Sequence, residues 1–171
     1  SGKRRILMTD LKQLLISKGL EPVQTYIQSG NVIFHATGTS SDKSLENKIA
    51  KSLFEQYNFE VPVIVRKWEE LRQIATDNPF LKEKDIDENK LHVTFLSEIP
   101  AATDLSNIQK MAYPPDRFII QGREVYVYCP VNYGETKLSN TFFEQKLKVT
   151  ATTRNWKTVN KLVEMGRTSG V

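Results

Sequence analysis

The first half of the chain alternates between helical and strand-like spacing of its apolar residues. Leu11, Leu14 and Leu15 recur at the spacing of one helix face. Val32 and Phe34 fall on one side of an extended segment. The pattern predicts, in order, a helix, two strands, a helix, a strand and a short helix, over residues 9–18, 23–28, 31–36, 43–56, 61–66 and 68–76.

The second half repeats this alternation and adds a strand at its start. The pattern predicts a strand, a helix, two strands, a helix, a strand and a helix, over residues 91–96, 103–111, 117–121, 124–129, 139–147, 150–154 and 156–165. Gly122 and Arg123 predict a tight turn between the two middle strands. Thr141 and Glu144 have the spacing of a capping box, so we expect them to cap the helix over 139–147.

Corresponding elements of the two halves follow one order at a nearly constant offset. The helix from residue 9 matches the helix from 103, and the strands from 23 and 31 match those from 117 and 124, offsets of 94, 94 and 93. This order predicts an α+β fold of two similar split-βαβ (ferredoxin-like) halves related by duplication. Coincidence is the alternative, because small α+β domains draw on few element orders.

The first half has no counterpart of the strand that opens the second. Only eight residues precede Thr9, whereas the strand over 91–96 precedes the matching helix. That strand is central in a split-βαβ sheet, and omitting it leaves buried backbone groups unpaired. We therefore expect the first half to lack its N-terminal strand, which then lies upstream or is replaced by another segment. The charged run 82–90 predicts a linker between halves 1–81 and 91–171.

Composition narrows the class of protein further. The 171 residues include a single cysteine, Cys129, so no internal disulfide is possible, and no apolar run reaches the length of a membrane helix. We expect a cytoplasmic protein with no membrane partner. Residues 1–40 carry a net charge of +3, residues 41–135 carry −4 and residues 136–171 carry +5. The basic ends favour an anionic partner, and a dispersed, solvated surface is the alternative.

Four stretches of the chain resemble a known bacterial family. They are Lys-Arg-Arg-Ile-Leu-Met-Thr-Asp-Leu at 3–11, Thr-Tyr-Ile-Gln-Ser-Gly-Asn-Val-Ile-Phe at 25–34, Tyr-Gly-Glu-Thr-Lys-Leu-Ser-Asn-Thr-Phe-Phe-Glu-Gln-Lys-Leu at 133–147 and Thr-Ala-Thr-Thr-Arg-Asn-Trp-Lys-Thr-Val at 150–159. Together they resemble the domain-of-unknown-function family numbered 1697. Members of that family typically open with an apolar strand and an Arg-Gly-Ile-Asn-Val segment, which this chain does not show. The resemblance implies a fold and supplies no chemistry.

The segment 133–156 holds the main candidate site. Two predicted helices begin inside it, and helix N-termini favour phosphate or carboxylate groups. We expect two cations to hold an anionic ligand, two amides and a hydroxyl to orient it, and a tyrosine to pack on it: Lys137, Arg154, Asn140, Asn155, Thr153 and Tyr133. The alternative is that the polar side chains only cap the two helices, while the cations point into water.

A second polar cluster lies on the first predicted hairpin, around the tight turn at Ser29 and Gly30. It comprises Tyr26, Gln28, Ser29 and Asn31, whose amides and aromatic ring are typical of single-stranded nucleic-acid platforms. Tyr126 and Tyr128 share one face of the matching strand in the second half. The alternative is that these tyrosines pack beneath helices with only their hydroxyl groups in water.

Signatures of catalysis are nearly absent. Cys129 reads as a buried structural thiol, and His35 and His92 lie far from other metal-ligating residues, so we predict neither a metal nor a cofactor. The leading hypothesis is a binding module for an anionic ligand, either a nucleotide or single-stranded nucleic acid. A small enzyme acting on an anionic metabolite and a protein-interaction module are the alternatives. Whether the protein is an enzyme is left open.

Overall fold

The computed structural model describes residues 6–21, 23–26, 30–36, 38 and 40–168. Helices and strands alternate along it, so the fold is α+β. The helices are α1 (Met8–Ser17), α2 (Asp42–Tyr57), α3 (Trp68–Asp77), α4 (Ala102–Ile108), α5 (Asn140–Leu147) and α6 (Trp156–Thr168). The strands are β1 (Val23–Tyr26), β2 (Asn31–Phe34), β3 (Leu91–Leu96), β4 (Arg117–Gln121), β5 (Glu124–Tyr128) and β6 (Ala151–Asn155). No helix of these residues is both long and apolar enough to cross a membrane.

The chain divides into two compact units. The first comprises Ser1–Leu71 and Lys161–Val171, and the second comprises Arg72–Asn160. The segment 82–90 belongs to the second unit, and its side chains do more than face water. Glu83 forms a bidentate ion pair with Arg117, at 2.8 and 3.1 Å, and Glu88 accepts a hydrogen bond from the Trp156 indole at 3.2 Å. The division into domains 1–81 and 91–171 stays a prediction.

The second unit is built on a four-stranded antiparallel sheet with the strand order β4-β5-β3-β6. Strand β3 is central because it pairs with β5 on one edge and with β6 on the other. Leu96 lies opposite Ala151, and both belong to the core that Phe143 and Leu147 of α5 and Ile108 of α4 complete. Paired residues share a face, so this helix-covered face also carries every second residue of β3, β5 and β6.

The opposite face of this sheet carries the two tyrosines of β5. Tyr126 pairs with Val93 and is only 3% exposed. The Tyr128 ring packs against Phe80 with ring centroids 5.8 Å apart, and the Arg117 guanidinium lies 5.5 Å from the Tyr128 centroid. Burial raises the pKa of Tyr126 to about 12, so its hydroxyl stays protonated at neutral pH. These rings are therefore packed into the unit and do not offer a free stacking platform.

The first unit contains a two-stranded antiparallel sheet, β1 with β2, packed against α1 and α2. The predicted strand over 61–66 is wrong as an assignment, because no described strand pairs with this segment. Its burial is nevertheless strand-like, since Val61, Val63 and Val65 pack on the core at every second position. The amide of Val65 donates to the Glu46 carboxylate at 2.9 Å, so a helix side chain accepts what a neighbouring strand would otherwise accept.

Helices α2 and α5 begin in the same way. Ser41 and Ser139 are their N-caps, and each hydroxyl accepts a backbone hydrogen bond from the residue three positions later, at 3.1 and 3.2 Å. The fifth residue of each helix is a glutamate that accepts a backbone amide from the segment after the helix. Glu144 binds the amide of Ala151 at 3.1 Å, as Glu46 binds that of Val65. The predicted capping box at Thr141 is therefore wrong: Ser139 is the cap, and Glu144 reaches β6 instead.

A close contact inside the first unit joins the beginning of α3 to the end of α6. The Trp68 indole donates to the carbonyl of Val163 at 2.9 Å. Gly166 lies directly beside the same ring, where a Cβ atom would meet Cδ1 and approach Nε1 to 2.5 Å. Only glycine therefore fits at this helical position.

We expect Gly166→Ala to destabilise the protein by about 1–3 kcal/mol, the usual result of overpacking a filled site. Helix propensity alone predicts the opposite sign, a gain of about 1 kcal/mol. Urea unfolding of the full chain measures the difference, with exposed Glu164→Ala on the same helix as the control, expected within about 0.5 kcal/mol of wild type. A stabilised Gly166→Ala protein would show that the indole does not hold this position.

Candidate functional site

A group of polar side chains lies on the helix-covered face of the second sheet, toward the end of β6. It comprises His92 and Thr94 of β3, Tyr133, Asn140 of α5 and Thr153 of β6, and is called here the Tyr133 cluster. The rings of Tyr133 and His92 stack with centroids 3.9 Å apart and an interplanar angle of 14°. Tyr133 stands in a short 3-10 turn, Tyr133–Glu135, whose first amide is capped by Asn132 at 2.9 Å. The turn sets the ring over the start of β3.

A chain of hydrogen bonds runs through the cluster. The Thr153 hydroxyl donates to Oδ1 of Asn140 at 2.9 Å and lies 2.8 Å from the Thr94 hydroxyl. A hydroxyl has one proton, so Thr94 is the donor in the second contact. Nδ2 of Asn140 donates to the carbonyl of Ala151 at 3.0 Å and to Glu144 at 3.2 Å. The chain therefore ties the polar residues to both α5 and β6.

The two rings of the cluster are electrically neutral near pH 7. Burial lowers the pKa of His92, because the imidazolium is poorly solvated there. Burial also raises the pKa of Tyr133, and its hydrogen bond with Thr153 only partly offsets the effect. Nδ1 of His92 is buried without a hydrogen-bond partner among the described residues. The stack is thus a neutral surface that retains donors and acceptors.

The structure brings together three of the six residues predicted for the main site: Tyr133, Asn140 and Thr153. Asn155 lies on the same face of β6, opposite His92 in the strand register, but its Oδ1 accepts the amide of Thr158 at 2.8 Å and caps α6. That contact is the capping role considered as the alternative. Lys137 is exposed to solvent.

Arg154 points away from the cluster. It follows Thr153 in β6, and successive strand residues face opposite sides of a sheet. Its guanidinium donates to the Thr152 hydroxyl at 2.7 Å and to the carbonyl of Thr153 at 2.9 Å. Burial lowers the pKa of Arg154 by penalising its charged form. Arg154 and the Tyr133 cluster therefore do not face one common pocket.

The second predicted cluster is described only in part. Tyr26 and Asn31 face each other as the last pair of the β1–β2 ladder, and the Asn31 amide donates to the carbonyl of Tyr26 at 3.2 Å. Asn31 is 5% exposed, so its side chain serves the hairpin. Gln28 and Ser29 lie outside the described residues.

The sequence interpretation missed His92 and Thr94 as members of the site. Both lie in a predicted strand, but only the register of β3 with β6 shows that Thr94 faces Thr153. Within the described ranges, no group of three or more His, Cys, Asp or Glu is placed to hold a metal ion. Burial raises the pKa of the Cys129 thiol, which lies 3.4 Å from the Thr136 hydroxyl, so the unreactive protonated form is favoured.

Comparison with known proteins identifies relatives in fold. The family model described as "Protein of unknown function (DUF1697)" matches residues 1–126. The solved structure of the conserved bacterial protein SP0830 from Streptococcus pneumoniae is similar, with a TM-score of 0.72 and 21% sequence identity. The match covers 96% of this chain and 91% of that one. At this identity the likeness establishes the fold alone. No curated protein matches the chain.

We expect the free energy of unfolding to fall as pH decreases below about 6.5, the ordinary pKa of histidine. The unfolded chain binds a proton there while the folded pKa of His92 is lower, so protonation favours unfolding. Thermal melts between pH 5 and 8, on the order of physiological pH, measure this slope. His92→Gln flattens it, whereas the control His35→Gln leaves it unchanged. An equal slope in wild type and His92→Gln contradicts the assignment.

We expect Thr153→Val to cost about 1–3 kcal/mol, because it leaves Asn140 and the buried Thr94 hydroxyl short of a partner. The double variant with Thr94→Val costs less than the sum of the two single variants, since the second change removes the group left unpaired. Denaturant unfolding measures all three. Thr141→Val, the same change at an exposed position of α5, is the control. Additive costs would mean that the two hydroxyls act separately.

Proposed function

The chain belongs to DUF1697, a family of proteins of unknown function, and from its geometry we propose that the second unit is a binding module for a small anionic ligand of the nucleotide class. The observation that carries the proposal is the stack of Tyr133 on His92 beside the hydrogen-bond chain of Thr153 and Asn140. In this proposal a flat ligand ring packs on Tyr133, and the cluster orients the ligand.

The neutrality of the stack supports a ring-bearing ligand. A charged imidazole would have to be desolvated together with the ligand, whereas the lowered pKa of His92 keeps the ring uncharged. Tyr133 is half-buried, so part of its surface is open to solvent. Aromatic side chains with a supported face commonly stack on nucleobases.

Lys137 is the proposed contact to the anionic group. It follows the turn that carries Tyr133 and its ammonium group is exposed, so it is free to reach a phosphate at the edge of the cluster. The net charge of +5 over residues 136–171 favours the approach of an anion. Arg154 is left out of this contact because it faces the other side of β6.

A mononucleotide fits these observations better than a nucleic-acid strand. Binding of single strands uses successive aromatic rings along an open sheet face. Tyr126 is 3% exposed and Tyr128 packs on Phe80, so the paired tyrosines of β5 are occupied within the unit.

Titration of the full chain with AMP, adenosine, ribose 5-phosphate and inorganic phosphate tests the proposal. We expect AMP to bind most tightly, and Tyr133→Leu and Lys137→Ala each to weaken AMP about tenfold, roughly 1.4 kcal/mol. Lys146→Ala, at an exposed position of α5, is the matched control and leaves AMP affinity unchanged. A fluorescent single-stranded oligonucleotide is the comparison ligand.

Three outcomes would count against the proposal. The first is no binding of any of the four ligands at low salt, and the second is AMP binding unaffected by both variants. The third is oligonucleotide binding much tighter than AMP binding, which would return single-stranded nucleic acid to the leading position. Circular dichroism of each variant separates lost binding from lost folding.

We also propose that the two halves use one split-βαβ (ferredoxin-like) design twice. The order α1-β1-β2-α2 matches α4-β4-β5-α5, and the strands start at Val23 and Asn31 against Arg117 and Glu124, 94 and 93 residues later. The shared serine cap and glutamate of α2 and α5 support the pairing. It implies that the four elements of one half superpose on those of the other in order, and a superposition that places β1 on β5 would refute it.

A further inference from the structure

We propose that the first unit accepts an extended peptide strand along the edge of β2 that faces away from β1. The peptide carries apolar residues at alternate positions and runs antiparallel to β2. This is a binding site for a protein segment, in a different unit from the proposed nucleotide site.

The edge of β2 offers the main-chain groups that a strand needs. In an antiparallel ladder, every second residue directs its N–H and C=O away from its partner strand. Strand β2 pairs with β1 through Val32, Ile33 and Phe34, and no other strand of the described residues lies along it. An edge of this kind is a template for a further strand.

The segment 61–66 is prepared as the second wall of the site. It contains neither turn nor bend, and Val61 and Val63 pack on the core in strand-like alternation. At Val65, side chains take the place of a neighbouring strand. Its amide donates to Glu46 at 2.9 Å, and its carbonyl accepts from Arg66 at 3.2 Å. The segment therefore behaves as a strand whose ladder is incomplete.

The second unit shows what fills the equivalent position. If β2 corresponds to β5 and the segment 61–66 to β6, the place between them corresponds to that of β3, which pairs antiparallel with both neighbours. Strand β3 has the sequence Leu-His-Val-Thr-Phe-Leu, and five of its six residues are buried. The chemistry of the expected occupant follows from it: an extended segment with apolar side chains on the face toward the core. This step uses the proposed pairing of the halves, whereas the free edge of β2 stands without it.

Amide hydrogen exchange of the full chain, with and without a synthetic peptide of the sequence of residues 90–97, tests the proposal. We expect exchange at residues 32–34 and 61–64 to slow about tenfold when the free peptide is at ten times its Kd. A control peptide carries proline at the positions of Val93 and Phe95, lacks two main-chain donors and leaves exchange unchanged.

Several results would overturn the inference. Unchanged exchange at β2 with the peptide at millimolar order, where weak strand addition is already visible, is one. Protection confined to the edge strands β4 and β6 of the second unit is another. Protection of β2 that rises with protein concentration in the absence of peptide would identify a second copy of the chain as the occupant. Equal protection by the proline peptide would exclude main-chain pairing as the mode of binding.

Discussion

A peptide group removed from water needs a hydrogen-bond partner, and the sheets of this protein are arranged around that requirement. In the second unit it is met by position, because β3 lies between β5 and β6 and both of its edges are paired. The rest of the unit follows from this strand. Its one face places Leu96 in the core beneath α5, and the same face places Thr94 and His92 beside β6. A central strand thus supplies both packing and the polar cluster.

The first unit meets the same requirement partly with side chains. Glu46 is 4% exposed, yet a buried carboxylate is tolerated because the amide of Val65 donates to it and Lys43 lies 3.6 Å away. Glu144 performs the equivalent task for Ala151 in the second unit, where a complete sheet is also present. The glutamate is therefore a feature of how the helix meets the following segment, and it does not replace the sheet.

The Tyr133 cluster extends this argument from backbone to side chains. Thr153 donates to Asn140 and accepts from Thr94, so the polar groups beneath the ring stack are matched with one another. A matched network fixes the position of Tyr133 while its ring keeps part of its surface in solvent. Rigid placement of an amphipathic ring lowers the entropy lost when a flat ligand binds. This is why the cluster, and not the more highly charged Arg154, is the stronger candidate for recognition.

The amino-acid sequence by itself determined the order of helices and strands, because apolar spacing records which face of each element is buried. It also identified Tyr133, Asn140 and Thr153 as candidates, since polar residues clustered where two helices begin. Strand pairing was decided only by the tertiary structure. The pattern of Val61, Val63 and Val65 shows a buried face but not whether a neighbouring strand exists, and therefore the predicted strand was not one.

Register was likewise beyond the sequence. Residues 94 and 153 are far apart along the chain, and only the ladder between β3 and β6 brings their hydroxyls within 2.8 Å. The same ladder places Arg154 on the opposite face from Thr153, which separates two residues that adjoin in sequence. Local spacing thus determined which side chains share an element and a face. Long-range backbone pairing decided which of those faces meet, because hydrogen bonds between distant strands set the distances across the sheet.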